Sequence, residues 1–255
     1  MSGGHAHGLY WHEESRLHDL APQCKIVAAG LFIVAVVLTP PQQLWAFALY
    51  VLLLGVAIDL SRVAVAFIIR RMSFGIPFLL LAMALPFLGD GPRTEIWGVD
   101  VSSEGFWDAL NLVMKGGFGI VCCVLLTATT SMADLLRGFA RLRAPRTMIA
   151  IAGFMIRFGD LTTGEMRRMR TARLSRGYDP AWWWEAWALA TSVGTLFIRS
   201  FERGERVYLA MVSRGYRGEM PDLASSKAAP RDWFRASIVS LPAAIICFIA
   251  LGVHP

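Results

Sequence analysis

Leu44–Leu60 reads LWAFALYVLLLGVAIDL, seventeen residues whose single charge, Asp59, lies at the end. As a helix rising ~1.5 Å per residue it would reach ~26 Å, close to the ~30 Å hydrocarbon core of a bilayer. Four other stretches repeat the pattern. Ile26–Thr39 follows Pro22, which suits the first turn of a helix, and stops at Pro40-Pro41. Met72–Leu88 contains Pro77 and Pro86, which membrane helices tolerate when neighbours satisfy the freed carbonyls. Leu110–Met132 and Phe234–Val253 complete the set. Of the 255 residues 55% are hydrophobic and 17% charged, against about 25% charged in a soluble domain. The expected fold class is an all-α integral membrane protein. It has about five transmembrane helices plus long cytoplasmic or membrane-parallel helices.

The connecting segments orient these spans. Residues 89–109 carry five acids (Asp90, Glu95, Asp100, Glu104, Asp108) against one base, Arg93. Arg62, Arg70 and Arg71 cluster between the second and third runs, and residues 133–232 hold seventeen Lys or Arg against ten acids. Lys and Arg near the membrane ends stay on the cytoplasmic side. The expectation is a cytoplasmic N-terminus, with the C-terminus outside. The domain plan is a tail over 1–21, four spans over 22–132, a cytoplasmic region over 133–232 and a last span over 233–255. The start of the chain lacks a basic region followed by an apolar one, so no cleaved signal peptide is expected. The net charge of +6 fits this orientation. Nucleic-acid binding is not expected, because the basic residues alternate with Met, Ala and Leu and lack an aromatic stacking platform.

Within the basic region, Trp182–Phe201 reads WWWEAWALATSVGTLFIRSF. Its uncharged part, between Glu185 and Arg199, is short for a span, so it is expected to lie along the membrane with Trp182, Trp183 and Trp184 as an interfacial anchor. Met148–Ile156 is shorter still and is read the same way. If Trp182–Phe201 did cross, its two flanks would face opposite sides.

Those flanks share a motif. Ser175-Arg176-Gly177-Tyr178 recurs as Ser213-Arg214-Gly215-Tyr216. Arginine followed by glycine suits a helix C-terminus, because glycine takes the left-handed conformation and the cation faces the negative dipole end. A pair of caps is one reading. Helical spacing also places Met169, Arg173 and Arg176 on one face, and Val207, Met211 and Arg214 on the matching face of the second helix. An apolar stripe ending in arginine suits a groove closed by a carboxylate. Docking is the other reading.

The motifs carry a resemblance over nearly the whole length. The chain resembles the transmembrane T component of energy-coupling-factor transporters, in the Q-type group of the cobalt and nickel branch. The matching residues are Ser15–Leu20 with Pro22 and Lys25, Thr127–Thr130 leading into Asp134-Leu135, Pro145, Ile156-Arg157-Phe158, and the two arginine motifs. The family usually has Ala-Arg-Gly, and this chain departs at Ser175 and Ser213. The resemblance implies a coupling subunit for a cobalt importer. Its coupling residues would be Arg176, Gly177, Arg214, Gly215, Ser175, Ser213, Arg173 and Met211. Each motif would dock on one of two cytoplasmic ABC ATPase subunits. ATP-driven closure would then move the helices and, through them, a membrane substrate-capture (M-type) subunit, with a small N-type membrane subunit as a further partner. A nickel or vitamin importer would keep the mechanism and change the cargo.

The chain has no GxxxxGK[ST] loop, so ATP binding is not expected of it, and no catalytic motif stands out. No cofactor and no enzymatic activity are expected. An integral membrane enzyme with an arginine-rich face is the competing class, with Asp160, Glu165, Asp179 and Glu202 as its available acids. His5 and His7, with His12 and His18, make a weak metal-binding candidate or a plain mobile tail. Lys115 is read as an interfacial lysine or a pathway residue, and Lys25 as one that reaches the interface. Cys24, Cys122, Cys123 and Cys247 are read as small apolar residues without a disulfide framework.

Overall fold

A computed structural model describes residues 20–88, 93–96, 99–177, 186–218 and 229–252. The chain divides into two compact units, one formed by residues 10–138 with 226–255 and the other by residues 139–225 with 1–9. Among the described residues the fold is all-α apart from one short hairpin. His5, His7, His12 and His18 lie outside the described residues, as do Tyr178 and the three tryptophans at 182–184.

The first unit holds the apolar helices. Helix α1 (Pro22–Leu38) has proline at its start and no charge in its last turn. It ends at Thr39, whose hydroxyl donates to the Ala35 carbonyl at 2.8 Å and pairs with Tyr50 Oη at 2.9 Å. Pro40-Pro41 then turns the chain into α2 (Leu44–Ser61). Gln43 Nε2 ties the turn to the Ala250 carbonyl at 2.6 Å. Phe32, Phe47, Tyr50 and Phe118 meet behind it with ring centroids 5.7–6.4 Å apart, in edge-on and stacked pairs.

The third apolar run is bent. Helix α3 (Val65–Arg71) passes through a 3-10 turn, Met72–Gly75, into α4 (Ile76–Leu88), and the two axes differ by 62°. Pro77 explains the break, since it has no N–H to continue the hydrogen-bond ladder from the preceding turn. The expected start of this run at Met72 is therefore corrected. Arg70 and Arg71 also lie in no loop: they form the last turn of α3, and the Arg71 guanidinium sits 4.5 Å from the Phe67 ring centroid.

The acidic segment contains an antiparallel hairpin, β1 (Arg93–Ile96) with β2 (Val99–Ser102), in the register Arg93↔Ser102 to Ile96↔Val99. A net-charge count cannot reveal it, but Thr94, Ile96, Val99 and Val101 are the residue types that strands favour. Ser102 caps α5 (Ser103–Thr129), its hydroxyl accepting from Gly105 N–H at 3.3 Å. Helix α5 therefore begins seven residues before the expected Leu110 and ends at Thr129 instead of Met132. Helix α6 (Met132–Arg141) follows, capped by Ser131, and α9 (Pro230–Gly252) closes the unit, starting four residues before Phe234.

Among the described residues, α2, Gly105–Thr129 and α9 are each long and apolar enough to cross a membrane. The bent α3–α4 pair would be a fourth crossing, and α1, at 17 residues, is a shorter apolar helix. Five apolar segments thus occupy the five expected places, three of them meeting a spanning length as single helices. Their outward side chains are bare hydrocarbon, with Phe248 80% and Met83 71% exposed, a surface suited to lipid.

Two lysines lock α1 against α5. Lys25, near the start of α1, is buried and donates to the Thr129 carbonyl at the end of α5, at 2.9 Å. Lys115 donates to the Val37 carbonyl at the end of α1, at 2.8 Å. Each cation thus caps the negative end of the other helix, which requires the pair to run antiparallel. This corrects the reading of Lys25 as reaching for the interface and gives Lys115, read as interfacial or as a pathway residue, a structural contact: each amine binds a carbonyl at the end of the neighbouring helix.

Candidate functional site

The second unit is built on two long helices. Helix α7 (Arg146–Ser175) has 30 residues and α8 (Ala186–Val212) has 27. Both are long enough to span, yet neither has the apolar window of a crossing helix. The sequence explains why, because α7 turns into EMRRMRTAR and α8 into FERGER.

Both Arg-Gly motifs end a helix. In the second copy, Arg214 N–H donates to the Met211 carbonyl at 3.0 Å, Gly215 N–H to Val212 at 2.9 Å and Tyr216 N–H to Met211 at 3.0 Å. The last two bonds make a complete Schellman cap with Gly215 in the left-handed region at φ +85°. The first copy shares the bonds of its arginine and glycine, Arg176 N–H donating to the Arg173 carbonyl at 3.0 Å. Gly177 N–H donates to Leu174 at 3.0 Å, and Gly177 has φ +74°. Arg176 and Arg214 therefore occupy equivalent cap positions, and both side chains are exposed. The serines serve the caps: Ser175 Oγ donates back to the Thr171 carbonyl and Ser213 Oγ to Ala210, each at 3.0 Å.

The helices pack antiparallel, and two clefts show it. One, of about 760 Å³, lies between the C-terminal half of α7 (Met169, Arg173, Arg176) and the N-terminal half of α8 (Thr191, Thr195, Arg199). The other, of about 350 Å³, lies between Phe154, Phe158 and Leu161 of α7 and Val207, Tyr208 and Met211 of α8. Between them Arg199 Nη1 bonds Glu165 Oε1 at 3.2 Å, with Arg168 3.9 Å from the same carboxylate. Measured along the axes, Arg176 lies ~16 Å from that pair and Arg214 ~22 Å from it in the other direction. The two motifs therefore sit at opposite ends of one antiparallel pair.

The two clefts differ in chemistry. The one beside Arg176 carries Arg168, Arg173, Arg176 and Arg199 against Glu165, with Thr191, Ser192 and Thr195. Within it Arg173 Nε and Nη1 are buried and meet no acceptor among the described residues. A buried guanidinium edge of this kind suits an incoming carboxylate. The cleft on the Arg214 side is lined by aromatic and aliphatic side chains with Arg203 and Ser200.

Met169, Arg173 and Arg176 do share one cleft, as the helical spacing predicts. Val207 and Met211 share the other, whereas Arg214 stands past its end. Sequence reasoning missed the α8 wall of the first cleft. Its signal is the four-residue spacing of Thr191, Thr195 and Arg199, masked by an apolar background. Among the described residues no three metal-ligating side chains converge.

Comparison with known proteins places the sequence in one family. Residues 13–223 match the family described as CbiQ, cobalt transport protein. The energy-coupling factor transporter transmembrane protein EcfT of Bacillus selenitireducens is 30% identical over 83% of each chain. EcfT of Staphylococcus aureus is 25% identical over 95% of each, and the cobalt transport protein CbiQ of Rhodobacter capsulatus is 29% identical over 91% of each.

Proposed function

The chain belongs to the CbiQ cobalt transport protein family and is the transmembrane component of an energy-coupling-factor transporter, not an enzyme; from that premise we propose that it couples two ATPase subunits to cobalt import. The carrying observation is the pair of equivalent Arg-Gly caps at opposite ends of α7 and α8. A protein that must hold two copies of one partner needs two like sites, set apart on a common support. Two antiparallel helices with the same cap meet that need. Arg176 and Arg214 each donate to a carboxylate of one ATPase subunit, and Arg173 offers its buried edge to the first.

Closure of the ATPase pair then shifts the helices about the Glu165–Arg199 crossing. The motion passes to a membrane substrate-capture subunit, joined by a small N-type membrane subunit. The chain sits in the bacterial inner membrane with its N-terminus and both motifs in the cytoplasm. The domain plan is a tail over 1–21, spans over 22–132, coupling helices over 133–232 and a final span from 233. Cobalt as cargo is supported by the family description and by the relative from Rhodobacter capsulatus.

The test is Arg176→Ala with Arg214→Ala in the assembled transporter. Loss of ATPase subunits on co-purification and loss of labelled-cobalt uptake are expected, with each single variant intermediate. Full uptake by the double variant overturns the coupling role. Uptake of nickel or a vitamin in place of cobalt by the intact complex overturns the cargo alone.

A further inference from the structure

The membrane unit contains a cavity of about 500 Å³ between α1, α2, α5 and α9, within the ~300–1,000 Å³ typical of ligand pockets. Its walls are hydrocarbon over most of their length, including Phe32, Leu54, Ala57, Leu125 and Val239, while Leu60 and Ile238 are exposed on its lip. Its charged end is lined by Lys25, Arg231 and Arg235. Those cations share one level of the unit. Lys25 is in the first turn of α1, Arg231 and Arg235 open α9, and Thr129, bonded by Lys25, ends α5. From that level to Phe32, Cys122 and Val239 the cavity runs ~10–12 Å into the apolar layer, at 1.5 Å of helix rise per residue.

An apolar slot capped by three cations at a helix-end boundary has the polarity of a phospholipid. We propose that it holds an acyl chain of an anionic phospholipid, whose phosphate meets Arg231 and Arg235 with Lys25 behind them. No water is available in the bilayer core to fill such a slot, and basic pockets between spans recognise anionic headgroups. The N-terminus of α9 adds its partial positive charge at the same place. Asp232 follows Arg231 in α9. Its carboxylate accepts the Ala229 N–H at 3.0 Å, so it serves the start of α9. Neither arginine is needed to hold α1 to α5, a task that falls to Lys25.

The test uses the full-length chain in mild detergent, loaded with phosphatidylglycerol or phosphatidylcholine and analysed by native mass spectrometry after delipidation. Wild-type protein is expected to retain phosphatidylglycerol over phosphatidylcholine by a factor on the order of thirty, the scale of two bases at the membrane surface. Arg231→Gln with Arg235→Gln is expected to abolish the preference while the phosphatidylcholine signal stays. Ala28→Phe, which fills the slot, is expected to release both lipids. Inorganic phosphate is expected not to compete, and competition by it would assign the cations to a free anion. Equal retention of the two lipids, or no retention, overturns the proposal; the second result would leave the slot to a partner's helix.

Discussion

Gly177 and Gly215 hold backbone conformations that a side chain resists, at φ +74° and +85°. A Cβ at either position would meet no atom within 4 Å, so the cost of substitution is conformational, about 1–2 kcal/mol. Gly215→Ala is expected to loosen the last turn of α8, read as faster amide exchange at Tyr216 and Gly215. Gly215→Asn should do so less, because asparagine tolerates the left-handed region. Lys25 makes the complementary case. Lys25→Met leaves the buried end of α5 without its donor, which should cost ~1–3 kcal/mol and lower the thermal midpoint of the detergent-solubilised chain. Lys115→Met should cost less, since that amine lies in a more open place. The glycines were legible in the sequence because their requirement is local. The lysines were not, because Thr129 and Val37 lie 104 and 78 residues away along the chain.

At the scale of elements, the close approach of α4 and α5 depends on one glycine. A Cβ on Gly105 would fall 2.5 Å from the Leu85 carbonyl oxygen and 3.0 Å from Pro86 Cα, both backbone atoms that cannot turn aside. Gly105→Ala should therefore destabilise the chain by ~1–3 kcal/mol, measured by thermal unfolding in detergent. Gly116→Ala, in the same helix with nothing within 4 Å, should be neutral or slightly stabilising and serves as the control. The cross of α7 and α8 behaves differently. Arg199 is more than half exposed, so Glu165→Gln should change stability by no more than ~1 kcal/mol. An effect of Glu165→Gln on uptake without loss of stability would place the crossing in the coupling path. Helix existence was readable from hydropathy and caps for the five apolar runs and the two motif-bearing helices, but not for α3 and α6. Helix boundaries were not: α5 starts early because Ser102 caps it, and the third run bends because Pro77 interrupts its ladder.

At the scale of the whole molecule the decisive quantity is which side of the membrane each motif faces. Neither α7 nor α8 is apolar enough to cross, so Ser175→Cys and Ser213→Cys should react with a membrane-impermeant thiol reagent from one and the same side. The background for that measurement lacks the four native cysteines, which are all free. Labelling from opposite sides would make Trp182–Phe201 a span and separate the motifs. The sequence alone determined that this is a helical membrane protein with two arginine-glycine helix ends, because hydropathy, charge bias and cap chemistry act over a few adjacent residues. Tertiary structure alone decided the rest. It set the reciprocal lysine caps, placed the two motifs at opposite ends of an antiparallel pair, joined Thr191 and Thr195 of α8 to Arg173 in one cleft, and formed the cation-tipped slot between α1, α2, α5 and α9. Each of these joins residues that are distant in sequence, and only packing determines which faces meet.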